Sequence, residues 1–419
     1  MEYHQQRKQE QQNRANALAQ VQQQNSENNK EPVTLPEDDT LNIFSAAAWH
    51  AFGENAEIVR QMLKFRSPDL DSTLLNHFGL PVLSYRIHAI DQLPEQDLSE
   101  KEPITKLGER RIQQLIQHQL EQHRESLCLI ARQLKHSAIF YDHKLAYQYR
   151  IHPAWSQENY HEDENNNASM TAAVTRLNRL NIHVLLANRW VDDWNKSYEE
   201  QLLSQIEQKY SLIPAQIHIA WHFFPADIAY ANWLELVQQS TAQSHEISLI
   251  IMADSEIDQE YLNDQVWQNE HYIAAEYAAS WCLATQELEI EGMIPLRILQ
   301  IGKHVHHLQE YLAQQQPNLS AQLEQTEPFL VLLDEATHAQ KIKKVQKKFA
   351  NIDFEPEHSL HPVSYCGHSQ HLATVFAAML SAHLTNNAIT IAYSLQQEFT
   401  YLSFINTENG QLDECALVA

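Results

Sequence analysis

The sequence predicts an α/β protein: one large globular body preceded by a Gln-rich arm that does not fold. Three observations lead there. Short apolar runs such as IHVLLAN and EISLIIMAD alternate with segments of helical period such as YEEQLLSQIEQKY and ADIAYANWLELVQQS, the pattern of βαβ units in a parallel or mixed sheet. The chain has 419 residues, 43% of them hydrophobic and 20% charged, which is enough for a sizeable core. Residues 1–38, by contrast, are rich in Gln, Asn and Glu and nearly free of large apolar side chains. Such a segment buries too little surface to offset the entropy of ordering it.

From Leu41 the composition changes. LNIFSAAAW reads as a buried strand that Gly53 ends in a turn, and NAEIVRQMLKFR follows as a helix with Ile58, Met62 and Phe65 on one stripe. Val82–Ile90 (VLSYRIHAI) alternates like a strand. KLGERRIQQLIQHQLEQH predicts an amphipathic helix whose stripe is Leu107, Ile112, Leu115, Ile116 and Leu120. SLCLIARQL fits either a strand or a helix. His161–Asn167 (HEDENNN) is a solvated loop and the best internal boundary.

Beyond that loop come three strands, Ile182–Asn188, Gln216–Phe223 and Glu246–Asp254, separated by two helices. YAASWCLATQE, PLRILQIG and FLVLLDEA read as further strands, and KIKKVQKKF as a basic helix with Ile342, Val345 and Phe349 inward and Lys341, Lys344 and Lys348 outward. GHSQHLATVFAAMLSAHL predicts a long, Ala-rich helix buried on most sides, and NAITIAYS with FTYLSFIN a terminal hairpin. The expected divisions are 1–38 for the arm, 39–160 and 246–419 for the outer parts of the body, and 161–245 for a central α/β segment or insertion.

The formal net charge is −25. So acidic a chain repels phosphate backbones and anionic lipid, so neither nucleic acid nor a membrane surface is an expected partner. Solubility is the plainer consequence. The cysteines Cys128, Cys282, Cys366 and Cys415 form no CxxC pair, so no disulfide framework or zinc site is expected. The first twenty residues lack a signal peptide's apolar stretch, and no window approaches 18 uninterrupted apolar residues. The expected location is cytoplasmic. Only 7 glycines are present, and GxGxxG, Walker A, GxSxG and HExxH are all missing, which lowers the expectation of an enzyme.

The order of motifs in the last third resembles the second half of the thiolase-like fold of β-ketoacyl synthases. MADSEIDQEYL (Met252–Leu262) looks like that family's GVDS-type strand end, with Asp254 and Ser255 at the turn. IAAEYAASWCL (Ile273–Leu283) is similar to the next element, with Glu276 and the alanines after it retained. YCGHSQHLATVFAAML (Tyr365–Leu380) looks like the family's GH helix, which puts Gly367 and His368 at its histidine position. IFSAAAWHAFGENAEIVRQMLKFRS is similar to the family's first strand and helix. The resemblance covers about 41–123 and 246–406 and implies a layered α/β/α fold with mixed sheets.

A condensing enzyme of that family uses a cysteine thiolate at the start of a buried helix, with histidines beside it. The matching stretch here, QIHIAWHFFPADIAYANWLELVQQ, holds neither cysteine nor serine. The family's lysine before the GH pair is replaced around Pro362 and Val363, and LTNNAITIAYS has no counterpart of the second histidine. The resemblance thus implies a degenerate, non-catalytic member whose vestigial pocket comprises Asp254, Glu276, Cys366, Gly367 and His368. It also implies a protein-binding adaptor or accessory factor, in the setting of a bacterial type VI secretion machine, and a homodimer or pseudo-dimer. No cofactor and no metal belong to that reading.

Other constellations keep an enzyme reading open. Cys366 beside His368 offers a thiolate–imidazole pair for acyl transfer, against a buried and inert thiol. His218 and His222 share a strand face and with Asp227 offer a metal-dependent hydrolase site, against ordinary pocket or surface histidines. KHVHH (Lys303–His307) presents His304 with His306 or His307, a cluster that chance supplies in a chain of 24 histidines. Asp192 and Asp193 offer paired carboxylates, though Trp190 and Trp194 around them point to a structural role. The basic helix offers a face for an acidic partner, against a merely solvated one.

Overall fold

The computed structural model describes residues 39–92, 107–151, 174–192, 194–306, 311, 327–334, 343–345, 347, 349, 356–368, 371–384 and 389–407. The arm 1–38, the loop His161–Asn167, and Asp193, His307, Lys341, Ile342, Lys348 and Cys415 lie outside the described residues.

The strands are β1 (Asp39–His50), β2 (Gly53–Glu54), β3 (Asp69–Leu75), β4 (Pro81–Tyr85), β5 (Arg179–Ala187), β6 (Ile217–Phe224), β7 (Glu246–Ser255), β8 (Ala274–Thr285), β9 (Arg297–Gly302), β10 (Leu330–Leu332), β11 (Ser359–Leu360), β12 (Ile389–Tyr393) and β13 (Tyr401–Asn406). The helices are α1 (Ala56–Leu63), α2 (His88–Asp91), α3 (Leu107–Gln122), α4 (Arg124–Tyr141), α5 (His143–Ile151), α6 (Ser197–Tyr210), α7 (Ala229–Gln239), α8 (Gln259–Gln268) and α9 (Ala373–Leu380).

One mixed sheet runs through them in the order β11-β10-β12-β13-β9-β1-β8-β7-β5-β6. The central pairs β9–β1, β1–β8 and β8–β7 are antiparallel, whereas β7–β5 and β5–β6 are parallel. The central segment therefore joins the same sheet as its flanks. The β3–β4 hairpin attaches alongside, with Ser84 and Tyr85 parallel to Ala274 and Ala275 of β8.

All twelve residues of β8 are buried, as expected of a strand covered on both faces. The period of two sorts its side chains into two cores. Tyr277, Ala279, Trp281 and Leu283 join a core with Trp233 of α7 and Phe376 of α9. Ala278, Cys282 and Ala284 join another with Ile112 and Leu115 of α3, Leu127 of α4 and Leu202 of α6. Two helical layers thus enclose the sheet, the α/β/α arrangement that the sequence leads one to expect.

Some local expectations need correction. Phe65 is not on the inward stripe of α1: it follows the helix end in a left-handed conformation (φ 53°) and is 83% exposed. Val82–Ile90 is not one strand, because the chain leaves the sheet after Tyr85 and turns into α2. Leu107, the first residue of α3, is exposed, while the other four stripe residues are buried. SLCLIARQL is helical, within α4. The apolar C-terminal helix is short: α9 starts only at Ala373, because Gly367 is left-handed (φ 63°) and His368 is tied to another segment. Of the basic helix, residues 343–345 and 347 are helical, with Val345 and Phe349 buried and Lys344 exposed.

Candidate functional site

The five pocket candidates from the sequence gather around one end of β7 and β8, and the strand period divides them. Ile250 and Met252 of β7 point into the α7/α9 core, while Ile251 and Ala253 point into the α3 core. Continuing that alternation puts Asp254 on the first face and Ser255 on the second. Ser255 pairs across the strands with Glu276, and Asp254 with Tyr277.

Glu276, fully buried, faces α3. Its Oε1 accepts from the Arg111 Nη2 at 2.6 Å and from the Ile87 N–H at 2.6 Å. Its Oε2 accepts from Arg111 Nε at 2.8 Å and from the Ser255 hydroxyl at 3.0 Å. This bidentate geometry is the strong form of an Arg–carboxylate pair. Arg111 also holds Asp91, Asp91 accepts two bonds of 2.8 Å from Arg86, and Arg86 reaches Asp71 of the β3–β4 hairpin at 3.2 Å. Arg86 and Asp91 hold each other charged: the Asp91 carboxyl, despite partial burial, is pulled down to about 2 by its two arginines. The chain of ion pairs fastens the hairpin to the sheet, and every acceptor position of Glu276 is occupied by a structural partner.

On the other side of the strand end, Arg189, in the turn after β5, reaches Asp254 at 2.5 Å, the Ser255 carbonyl at 2.8 Å and Glu256 at 3.4 Å. Its guanidinium also lies 4.5 Å over the Tyr261 ring, a cation–π contact. The Asp258 side chain caps α8, accepting from the Glu260 and Tyr261 N–H groups at 2.9 and 3.1 Å. Glu256, 1% exposed, donates its N–H to the Ala275 carbonyl at 3.0 Å. Burial pushes the Glu256 carboxyl up, Arg189 opposes, and Asp254 adds to the rise, which carries it to about 7.

The segment Tyr365–His368 lies against the same end of β8. The His368 N–H donates to the Ile273 carbonyl at 3.0 Å, and the Ile273 N–H donates to His368 Nδ1 at 2.8 Å. Nδ1 is therefore the acceptor and Nε2 the N–H position of this ring. The ring stacks on Tyr272 with centroids 5.4 Å apart. Gly367 is required where it stands, since a Cβ there would meet the Ile273 carbonyl oxygen at 2.4 Å.

Cys366 is fully buried, and its thiol donates to the Pro362 carbonyl at 3.7 Å. Burial, then the charges of Asp254 and Glu256, push the thiol well above its ordinary value. That is the reverse of what activates a cysteine, namely positive surroundings and partial exposure. His50 of β1 closes the far side, donating from Nε2 to the Tyr365 carbonyl at 3.1 Å while Nδ1 accepts from the Phe52 N–H. Burial holds His50 down at about 3.

The stretch that precedes α7 bears no thiol or hydroxyl: Phe224, Pro225, Ala226, Asp227 and Ile228 lead into Ala229, and the helix has no side-chain cap. His222 and His183 of β5 are 3.1 Å apart, and burial followed by the neighbouring imidazoles His222 and His218 lowers His183 to about 4. Among the described residues no group of three or more His, Cys, Asp and Glu is placed to hold a metal ion. Trp190 and Trp194 are buried in the α3 core. His304 takes a left-handed conformation (φ 56°), and the His306 ring lies 4.7 Å from that of Phe399. No helix among the described residues is long and apolar enough to cross a membrane.

No protein-family model matches the chain, and no curated protein matches it. Among solved structures it is similar to the ketosynthase from module 6 of the bacillaene synthase from Bacillus subtilis 168, with 8% identity, a TM-score of 0.47, and coverage of 88% of this chain and 72% of that one. It is also similar to the ishigamide ketosynthase/chain length factor, with 10% identity, a TM-score of 0.43, and coverage of 87% and 98%. A third is a variant of OleA from Xanthomonas campestris, with 8% identity, a TM-score of 0.35, and coverage of 88% and 99%. Ketosynthases are the family that the motif order in the sequence resembles.

The structure adds residues that sequence reasoning did not single out. Arg189 and Arg111 lie 65 and 165 residues from their carboxylates, a separation at which no local pattern reports pairing. Glu256 directly follows Asp254 and Ser255, so its position was in view, but its burial was not. Tyr261 lies within the Met252–Leu262 motif and Tyr272 just before Ile273–Leu283, and neither drew notice there.

Proposed function

We propose that this chain is a non-catalytic thiolase-like protein that acts by binding another protein. The observation that carries the reading is Cys366: its thiol is fully buried, donates to the Pro362 carbonyl and is held protonated by burial and by two neighbouring carboxylates. The stretch before α7 supplies no thiol or hydroxyl in its place. His368 spends Nδ1 on the Ile273 amide rather than on a thiol. The same groups that would make a condensing site thus serve to fasten the 365–368 segment to β8.

A binding role accounts for a fold kept intact while its chemistry is lost, and a component of a secretion machine is the partner that the motif resemblance implies. A second copy of the chain is the other proposed partner. The β6 edge favours it: β6 ends the sheet among the described residues, is eight residues long, in unbroken register with β5, and has no Pro, Asp, Glu, Lys or Arg, and such an edge is open to pairing.

Two measurements test the proposal. In the native protein at neutral pH, Cys366 is expected to resist both iodoacetamide and acyl-thioester probes, while exposed Cys128 reacts readily; rapid stoichiometric acylation of Cys366 would move the protein to the acyl-transfer class. Affinity purification of the full chain from its native cells, followed by gel filtration, is expected to give a complex of fixed stoichiometry with a different protein. A chain that elutes free of any other protein, whatever its own oligomeric state, contradicts the adaptor role.

A further inference from the structure

We infer that His183, His218 and His222 form a binding site for a divalent transition-metal ion such as Zn²⁺, on the β5–β6 part of the sheet. The inference is independent of the binding role proposed above. It starts from the strand register. His183 of β5 stands opposite Ala220 of β6, between the pairs Asn181 with His218 and Leu185 with His222. Directly paired residues share a face of a sheet, and so do residues two apart on one strand. The three imidazoles therefore rise from the same face, around an alanine whose methyl leaves the space between them open. The opposite face of these strands is apolar: Ile182 and Val184 join the α3 core, and Ile219, Trp221 and Phe223 pack against it.

The rings already approach one another. His183 Nδ1 lies 3.1 Å from His222 Nε2, with the ring centroids 5.3 Å apart. The His218 ring centroid is 6.5 Å from that of His183. A Zn–N bond of about 2.0–2.1 Å puts two ligand nitrogens of one ion roughly 3.0–3.4 Å apart. The His183–His222 pair thus has the spacing of two ligands on one ion. In their present rotamers the three rings do not complete a ligand set. His218 is exposed, and a rotation of its side chain brings in the third nitrogen.

The donor type selects the ion. Imidazole suits Zn²⁺, Ni²⁺ and Cu²⁺, whereas Mg²⁺ and Ca²⁺ take oxygen ligands. Without the ion, one ring of the His183–His222 pair donates its N–H to the lone pair of the other. When the ion enters, that proton moves to the far nitrogen of its own ring, and both facing nitrogens present lone pairs. Three neutral imidazoles then hold the ion with no net loss of protons. The surroundings favour a cation: the chain carries a net charge of −25. Glu246 also accepts from Asn181, the residue opposite His218, at 2.7 Å. A zinc ion on three histidines keeps a fourth position for water or another ligand, and here it ties β6 to β5.

Calorimetric titration of the full, untagged chain with zinc chloride tests the site. One saturable site per chain is expected, and His222→Ala should abolish it. His218→Ala, at an exposed position, should weaken it by roughly 10–100-fold or more, since loss of even an outer-shell partner of a metal ligand costs that much. His306→Ala, on a different segment, should leave it unchanged. Zinc that does not bind, or binds wild type and His218→Ala equally, overturns the site, and so does an equal loss in His306→Ala. X-ray absorption of the zinc-loaded wild type reads the ligands without any variant. Scattering from three imidazoles is expected, and fewer than three overturns the assignment.

Discussion

Replacing Glu276 with Ala is expected to destabilise the folded chain by about 3–5 kcal/mol, the cost of breaking a buried ion pair by removing one partner. Arg111 is 2% exposed and, among the described residues, would keep Asp91 and the Ile87 carbonyl. The Ile87 N–H and the Ser255 hydroxyl would lose their acceptor as well. Urea denaturation reads the loss as a lower midpoint at unchanged slope. Because Arg86 and Asp91 pass the linkage on to Asp71, the β3–β4 hairpin should also exchange its amides faster than the rest of the sheet. A loss under 1 kcal/mol would mean that the pair is no part of what holds the hairpin in place. The double replacement Arg111→Met with Glu276→Leu should recover part of the loss, since it removes the unpaired charge.

Gly367→Ala is the second large effect, at about 2–5 kcal/mol. A left-handed backbone costs an L-residue ~1–2 kcal/mol, and forcing a methyl into a packed site costs ~1–3 kcal/mol more. Here the methyl would lie 2.4 Å from the Ile273 carbonyl oxygen and 3.1 Å from the Ala275 Cβ, and backbone has little room to yield. The Ile273 amide, which donates to His368 Nδ1, should lose its hydrogen-exchange protection before β8 does. Equal protection in variant and wild type would show that the Gly367–His368 turn is not what seats this segment. Gly79, left-handed but with nothing near its missing Cβ, makes the matched control: Gly79→Ala should pay the conformational cost alone.

Both effects concern residues that the sequence marked as a vestigial pocket, and in both the physical role is structural. The structure brings these residues together because the motif order Asp254–Ser255, Glu276, Gly367–His368 is the order in which the chain returns to one strand end. The resemblance did not show that Glu276 and Asp254 work on opposite faces of the sheet. That division comes from which side of β7 and β8 each side chain takes, and strand parity is visible in a sequence only once the register is known.

Local pattern by itself determined most of the elements. β5, β7, β8, β12 and β13 announce themselves as apolar runs between turn residues, and α3, α6 and α7 by their 3.6-residue period, because burial on one face or two leaves that trace wherever an element is long enough. The places where the reading failed are those where local preference yields to distant contacts. Residues 82–90 alternate like a strand, yet the chain turns after Tyr85 where Ile87 is captured by Glu276, 189 residues away. Gly367 and His368 read as the start of a helix, yet Gly367 is left-handed and His368 is held to Ile273 by two hydrogen bonds. The paired charges were equally hidden: Arg189 with Asp254 and Glu256, and Arg111 with Glu276, exist only because the sheet brings β5, β7, β8 and α3 together. Composition determined the acidity of the chain and periodicity its layers, but the burial that raises Glu256 and silences Cys366 is a property of the packed whole.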